Sequence, residues 1–177
     1  HLVEALVATE DERFYEHSGI DFIALGRAVV KRGLFGQASA GGGSTITQQL
    51  AKQLYSEQVH NSLERMLQKP IEWVIAVKLE RNYTKEEIIA LYLNYFDFLH
   101  NAVGIKTAAN TYFNKEANDL NVVESAMLIG LCKNPSLFNP VRFPDRARNR
   151  RNVVLGQMLK AGYLSKAEFE EYCAMPI

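Results

Sequence analysis

TEDERFYEHSG, Thr9 to Gly19, is answered later in the chain by GGGSTITQQLAKQ, Gly41 to Gln53, and the reading of the whole sequence turns on this pair. The first stretch sets two adjacent carboxylates, Glu10 and Asp11, within a few positions of His17 and of Gly19, which reads as a helix-ending glycine. The preceding LVEALVAT carries Leu2, Val3, Leu6 and Val7 on a helical period, so the carboxylates arrive where an apolar face ends. A carboxylate half buried there feels two influences: burial disfavours its charge and a nearby cation favours it. Under both, Glu10 suits a general base; under neither, the pair is a solvated helix end.

The second stretch changes composition abruptly. Three glycines allow close backbone approach, and Ser44 or Thr45 can cap the helix that follows. Unpaired N–H groups and the positive end of the dipole make such a helix mouth an anion site. Thr45, Gln48, Gln49 and Lys52 lie three or four apart, which brings a hydroxyl, two amides and an ammonium to one side. An oxygen-rich anionic ligand suits that stripe. The lysine does not follow the glycines directly and no strand precedes them, so this is not a P-loop. A flexible loop before an ordinary capped helix is the plainer alternative.

The 177 residues suffice for one domain with a sizeable core, and 47% hydrophobic against 23% charged residues is the mixture of a folded globular chain. Twenty basic and twenty acidic side chains cancel, which argues against a general nucleic-acid partner. Cys132 and Cys173 lack metal-ligand spacing, and Cys132 reads as a buried free thiol. No apolar run is long enough to span a membrane, and no signal peptide is present. The chain opens on His1 inside a helical pattern, as expected of a fragment cut from a longer protein, from which any anchor could have been removed.

Residues 20 to 32 read as an amphipathic helix with Phe22, Ile23, Val29 and Val30 against Arg27, Lys31 and Arg32. GLFGQASAGGG follows as a mobile loop exposing Leu34 and Phe35, a combination that suits an anionic membrane surface or, more plainly, packing on the core. The helix opened by Ser44 should reach about Leu54, and SEQVHN is a polar connection. A long helix then runs from Ser62 to Asn82, with Leu67, Ile71, Val74, Ile75 and Leu79 in a helical row and Pro70 implying a kink or a new start. Lys69 and Glu72 fit an exposed salt-bridged face as well as a site. Thr84 with Glu87, Asn121 with Glu124 and Ser165 with Glu168 each have capping-box spacing. YFDFLHNAVG is a loop, Ile105 to Phe113 a helix, and VVESAMLIGL is apolar nearly all round and therefore central. Lys133 to Pro144 is irregular, and ARNRRNVVLGQMLKAG follows as a basic helix. The sum is an all-α, mainly helical single domain spanning residues 1–177, with about eight or nine helices and no linker that divides it.

With these residues in hand, the chain resembles the bacterial peptidoglycan glycosyltransferase family, the domain found alone or at the N-terminal side of bifunctional class A penicillin-binding proteins. TEDERFYEHSG looks like its first signature, GGSTITQQLAKQ its second, QKPIEWVIAVKLE its third and TKEEIIALYLN its fourth. GIKTAANTYFNK and RNRRNVVLGQM match its periphery, and RRNVVLGQMLKAGYLSKAEF looks more like the bifunctional members than the short monofunctional ones. The resemblance implies a lysozyme-like fold with large and small lobes, an active-site cleft between them and a hydrophobic region that dips into the membrane. It implies Glu10 as the general base that takes the proton of the acceptor's 4-hydroxyl, the acceptor being lipid II and the donor a growing glycan on its lipid diphosphate. Inversion at C1 gives a β-1,4 bond and releases undecaprenyl diphosphate. It carries Glu72 over as the acid that helps position substrate and cations, and Asp11 as a support. Lys52 and Lys69 are the candidates to receive the diphosphate, with Ser44, Thr45, Gln48 and Gln49 fixing orientation, while His17 is expected to be structural. No cofactor is expected to be tightly bound; a Mg2+ or Mn2+ ion would be shared with the substrate diphosphate. The implied location is the extracytoplasmic (periplasmic) side of the plasma membrane or cell inner membrane, with an appended transpeptidase domain.

Two departures stand out. The family usually has Arg-Lys where this chain has Gln68-Lys69, and Arg65, one turn earlier, is the candidate replacement. Leu99, Asn101 and Val103 occupy positions where glycines and an aromatic are common, whereas Gly104-Ile105 matches. Chemistry separates the transferase from a lysozyme-like hydrolase: a diphosphate departs without a proton and asks for positive charge, whereas a glycosidase must protonate its leaving alkoxide. The remaining alternative is a non-catalytic peptidoglycan- or membrane-binding module.

Overall fold

The computed structural model of the chain describes residues 1–35, 43–55 and 62–177, the side chains of 31–35 and 62–66 excepted. Gly41, Gly42, the loop past Phe35, the SEQVHN connection and the side chains of Leu34, Phe35 and Arg65 therefore lie outside the described residues. The architecture among those described is all-α: nine α-helices, a single 3-10 turn at Ala117–Asp119 and one isolated antiparallel bridge between Asp97 and Val103. The chain falls into two compact units, one of His1–Glu12 with Leu93–Ile177, the other of Arg13–Tyr92.

In the first unit, α7 (Val122–Leu131) is buried along most of its length and packs on α8 (Pro144–Lys160) and α1 (Leu2–Glu10). Its apolar character all round leaves it no solvent face, so it is the helix the others cover. Asn121 and Glu124 form the expected capping box, and Lys115 reaches both oxygens of Glu124 at 2.8 and 3.1 Å. Helix α8 begins at Pro144, earlier than the expected Ala147, because proline's fixed φ and missing N–H suit a first helical turn. It buries Ala147, Val154, Leu155 and Met158, and also Arg151, only 1% exposed. That guanidinium donates to the carbonyls of Cys173, Met175 and Pro176 and to Asn152, tying α8 to the tail of α9 (Lys166–Ala174). Burial lowers the proton affinity of Arg151, with Arg148 nearby adding to the effect.

Between α5 (Lys85–Tyr95) and α6 (Ile105–Phe113) the chain makes a tight excursion. Leu99, His100 and Asn101 all have positive φ, 67°, 51° and 62°, in succession. Only glycine visits that region without cost, so the turn must be held from outside. Leu99 N–H donates to Asp97 Oδ1 at 2.8 Å, Phe98 N–H to Ala102 O and Ala102 N–H to Leu99 O, and Tyr112 donates its hydroxyl to Phe98 O at 2.6 Å. His100 packs edge-on to Tyr112 and meets the buried Asn139. Gly104 closes the turn at φ +82°, where a Cβ would stand 2.8 Å from Asn94 O.

In the second unit, α3 (Ile46–Tyr55) packs on α4 (Ser62–Asn82). Helix α2 runs Phe22–Phe35, further than the amphipathic pattern suggested, and Asp21 accepts from the N–H groups of Ile23 and Ala24 at its start. Helix α4 passes through Pro70 as one element. The row expected from its apolar spacing is only partly its inner face: Leu79 is buried and Ile75 half-buried, but Leu67, Ile71 and Val74 are exposed, and Glu72 and Ala76, outside the row, are buried. Gly19 accounts for part of this, because it does not end a helix but lies against α4 at φ +99°, where a Cβ would come within 3.0 Å of the Ala76 carbonyl. The Thr84–Glu87 box opens α5 with bonds of 2.8 and 3.2 Å, and Ile88 and Tyr92 are fully buried. Cys132 is buried and forms no disulfide.

Candidate functional site

Each unit carries one group of the residues singled out in the sequence. In the first, Glu10 is the last residue of α1, whose Ala5, Leu6, Val7 and Ala8 are buried. The Glu10 side chain is 11% exposed, and its Oε1 lies 3.3 Å from Arg150 Nη2 on α8. Asp11, 8% exposed, ends the helix with its N–H on Val7 O. The solvated helix-end alternative fails for both, whereas Glu12, the next residue, is the exposed one and pairs loosely with Lys160 at 3.4 Å.

In the second unit the capping role falls on Thr45 rather than Ser44. Thr45 N–H donates to Gln48 Oε1 and Gln48 N–H to Thr45 Oγ1, both at 3.1 Å, a capping box with glutamine in the acid's place. Thr45 Oγ1 also donates to Gly19 O at 2.7 Å. Both residues are buried, so this hydroxyl and amide hold the first stretch to the second. Gln49 accepts from Tyr92 OH at 3.1 Å, Ser44 is half-buried, and Lys52, in the last turn of α3, is exposed.

Lys69 Nζ meets Glu72 Oε2 at 2.8 Å, with the lysine 46% exposed and the glutamate only 7%. An exposed salt-bridged face is therefore wrong for Glu72, which is anchored inside while Lys69 extends outward. Gln68 is half-buried, and Arg65 Cα lies on α4 with its side chain outside the described residues. No group of three His, Cys, Asp or Glu side chains among the described residues has the makings of a metal site.

Sequence reasoning missed a polar network that ties the four signatures together. Lys85 Nζ donates to His17 O at 2.6 Å and to Glu80 Oε1 at 2.8 Å, and sits 4.4 Å above the Phe14 ring. Thr47 Oγ1 donates to the same Glu80 oxygen at 2.6 Å. His17 Nδ1 accepts from Gly19 N–H and its ring packs edge-on to Phe14, a structural task as expected. Arg150 was missed as well, because in RNRR it reads as one charge of a solvated run.

A family model described as Transglycosylase matches residues 1–159. The chain is 46% identical to penicillin-binding protein 1F of Bacillus subtilis, over 93% of this chain and 22% of that protein. It is 43% identical to penicillin-binding protein 1A of Vibrio cholerae over 99% and 21%, and 44% identical to penicillin-binding protein 1A of Escherichia coli over 96% and 19%. The crystal structure of penicillin-binding protein 1A from Haemophilus influenzae superposes with a TM-score of 0.51 at 30% identity, covering 75% of this chain and 16% of that one. The chain thus spans about a fifth of the length of the curated relatives it matches, and its all-α fold is that of the solved relative.

Proposed function

Since this chain belongs to the transglycosylase family, we propose that it is a peptidoglycan glycosyltransferase that polymerises lipid II, with Glu10 as general base. The observation that carries the reading is Glu10 itself: a carboxylate mostly withdrawn from water at the end of a buried helix, with a guanidinium 3.3 Å away to hold it in one orientation, as a general base requires. As the 4-hydroxyl oxygen of the acceptor sugar forms its bond to C1 of the donor, its proton passes to Glu10. The bond from C1 to the diphosphate breaks on the opposite side, and the bonding electrons leave with the lipid diphosphate. That group needs no proton but needs compensation for its charge. Lys52, exposed on α3, and Lys69, held by buried Glu72, supply it. Thr45 and Gln48 act through the backbone they fix, and Asp11 through its buried position at the end of α1.

A membrane surface as the working environment is supported by large apolar side chains left in water: Phe22, Ile23, Val29 and Val30 on α2, and Leu67, Ile71 and Val74 on α4. No helix among the described residues is long and apolar enough to cross a bilayer. The reading puts the domain on the extracytoplasmic side, where lipid-linked sugars are polymerised. The share of the relatives left unmatched has room for the appended transpeptidase.

The test is polymerisation of lipid II by the protein carrying this chain, beside its Glu10→Gln variant. Wild type should give long glycan strands, and the variant should lose turnover by at least about 100-fold while still binding lipid II. An unchanged rate in Glu10→Gln overturns the assignment of the base. Shortening of pre-formed glycan without polymerisation overturns the transferase reading in favour of a muramidase.

A further inference from the structure

Glu10 stands where its own helix supplies no positive charge. It is the last residue of α1, where the helix dipole is negative, and it is followed by the buried acid Asp11. Arg150 Nη2, 3.3 Å away and 14% exposed, opposes both influences.

The fold holds that arginine from several sides. Its stem passes over Gly130 of α7, where a Cβ would stand 3.2 Å from Arg150 Cγ, so α7 carries no side chain at the point where Arg150 crosses it. Its guanidinium carbon lies 5.9 Å from the Phe138 ring. The next residue, Arg151, is fixed by the carbonyls of Cys173, Met175 and Pro176, which anchors this part of α8. Arg150 Nε meanwhile is buried without a hydrogen-bond partner, and so is Thr9 Oγ1, next in the chain to Glu10. A buried donor left unmade is costly, and such groups persist where another requirement sets the geometry. Here that requirement is the contact between Nη2 and Glu10.

We infer that Arg150 is a positioning residue for the reaction, holding the Glu10 carboxylate aimed at the acceptor hydroxyl, with Gly130 providing the space that lets it do so. The inference rests on the reading of Glu10 as base. It concerns turnover rather than substrate affinity, because Arg150 acts on the carboxylate.

Steady-state polymerisation of lipid II by the protein carrying this chain tests it with Arg150→Gln, Arg150→Lys, Gly130→Ala, Glu10→Gln and the double variant Glu10→Gln/Arg150→Gln. Arg150→Gln should lower kcat by about 100-fold with KM within about twofold, and Arg150→Lys should recover about tenfold of that loss. The double variant should be no slower than Glu10→Gln alone, since a positioning residue has nothing to act on once the base is gone. Wild-type kcat in Arg150→Gln, a loss confined to KM, or a further loss in the double variant overturns the inference. Should Arg150→Gln fail to fold, Gly130→Ala decides: its methyl displaces the Arg150 stem, so lowered kcat at unchanged KM supports the proposal and unchanged kcat overturns it. Wild-type turnover in Glu10→Gln defeats the base reading; a strongly slowed Glu10→Gln beside a fully active Arg150→Gln defeats the positioning role alone.

Discussion

The Thr45 hydroxyl donates to the carbonyl oxygen of Gly19 across 2.7 Å, joining two stretches that are 26 residues apart in sequence. The same oxygen caps α3 by accepting from Gln48 N–H. Thr45→Val, which keeps the shape and removes the oxygen, should therefore destabilise the fold by about 1–2 kcal/mol, the value of a lost helix cap. Urea unfolding of both proteins measures it as a lowered midpoint at constant slope.

Gly19 should tolerate substitution still less. Its φ of +99° excludes ordinary L-residues, and an added methyl group would meet the backbone of Ala76, which is unable to swing aside as a side chain would. Gly19→Ala is expected to cost at least about 2 kcal/mol from backbone strain alone. Gly162 has a positive φ of 82° but nothing within 4 Å of its would-be Cβ, so Gly162→Ala isolates the conformational part. Equal losses in the two would show that contact with Ala76 contributes nothing.

Lys85 serves Glu80, His17 and Phe14 at once, and the Glu80 side chain is only 5% exposed. Lys85→Met leaves a buried carboxylate without its cation, which should cost about 3 kcal/mol or more. Pairing Lys85→Met with Glu80→Gln should recover part of that loss. A double variant no better than the single one would mean that the charge on Glu80 is not what the lysine answers.

Glu168 gives a pH dependence with a defined sign. Hydrogen bonds from the Ser165 backbone and side chain hold its carboxyl below the ordinary value of 4.5. A depressed folded value means that the stabilisation is present above the unfolded pKa and is lost as pH falls through the folded one. Glu168→Gln should thus be less stable than wild type at neutral pH and indistinguishable from it in strong acid. Denaturant midpoints measured across the acid range read this directly, and a gap that persists at low pH would contradict it.

Arg151→Met should release the tail after α9. The carbonyls of Cys173, Met175 and Pro176 lose their shared donor, so hydrogen exchange should accelerate at Ala174 and Met175 before it does in α7. Uniform acceleration through α7 would instead mark Arg151 as a support of the whole first unit.

The legible part of this fold was the part set by local rules. Three capping boxes, the extent of α4 and α6 and the central position of α7 follow from spacing and apolar period, which act within a few residues. The inner face of α4 was legible only at Leu79, because Glu72 and Ala76 face inward on account of distant partners while Leu67, Ile71 and Val74 remain outside. The burial of Glu10 and Asp11 was only half legible: the end of an apolar run suggested it, but the opposing Arg150 lies 140 residues away. Lys85 and Glu80 stood in plain view within quoted motifs, yet charges on amphipathic helices look alike until a ring or a carbonyl is brought beside one of them.

Three successive left-handed residues, Leu99, His100 and Asn101, have a bearing on how this chain can vary. Asparagine and histidine are at home in that region, and leucine is the poor tenant. Drift at position 99 therefore runs downhill toward glycine and uphill toward any β-branched residue, so sister sequences should diverge there in one direction far more readily than in the other.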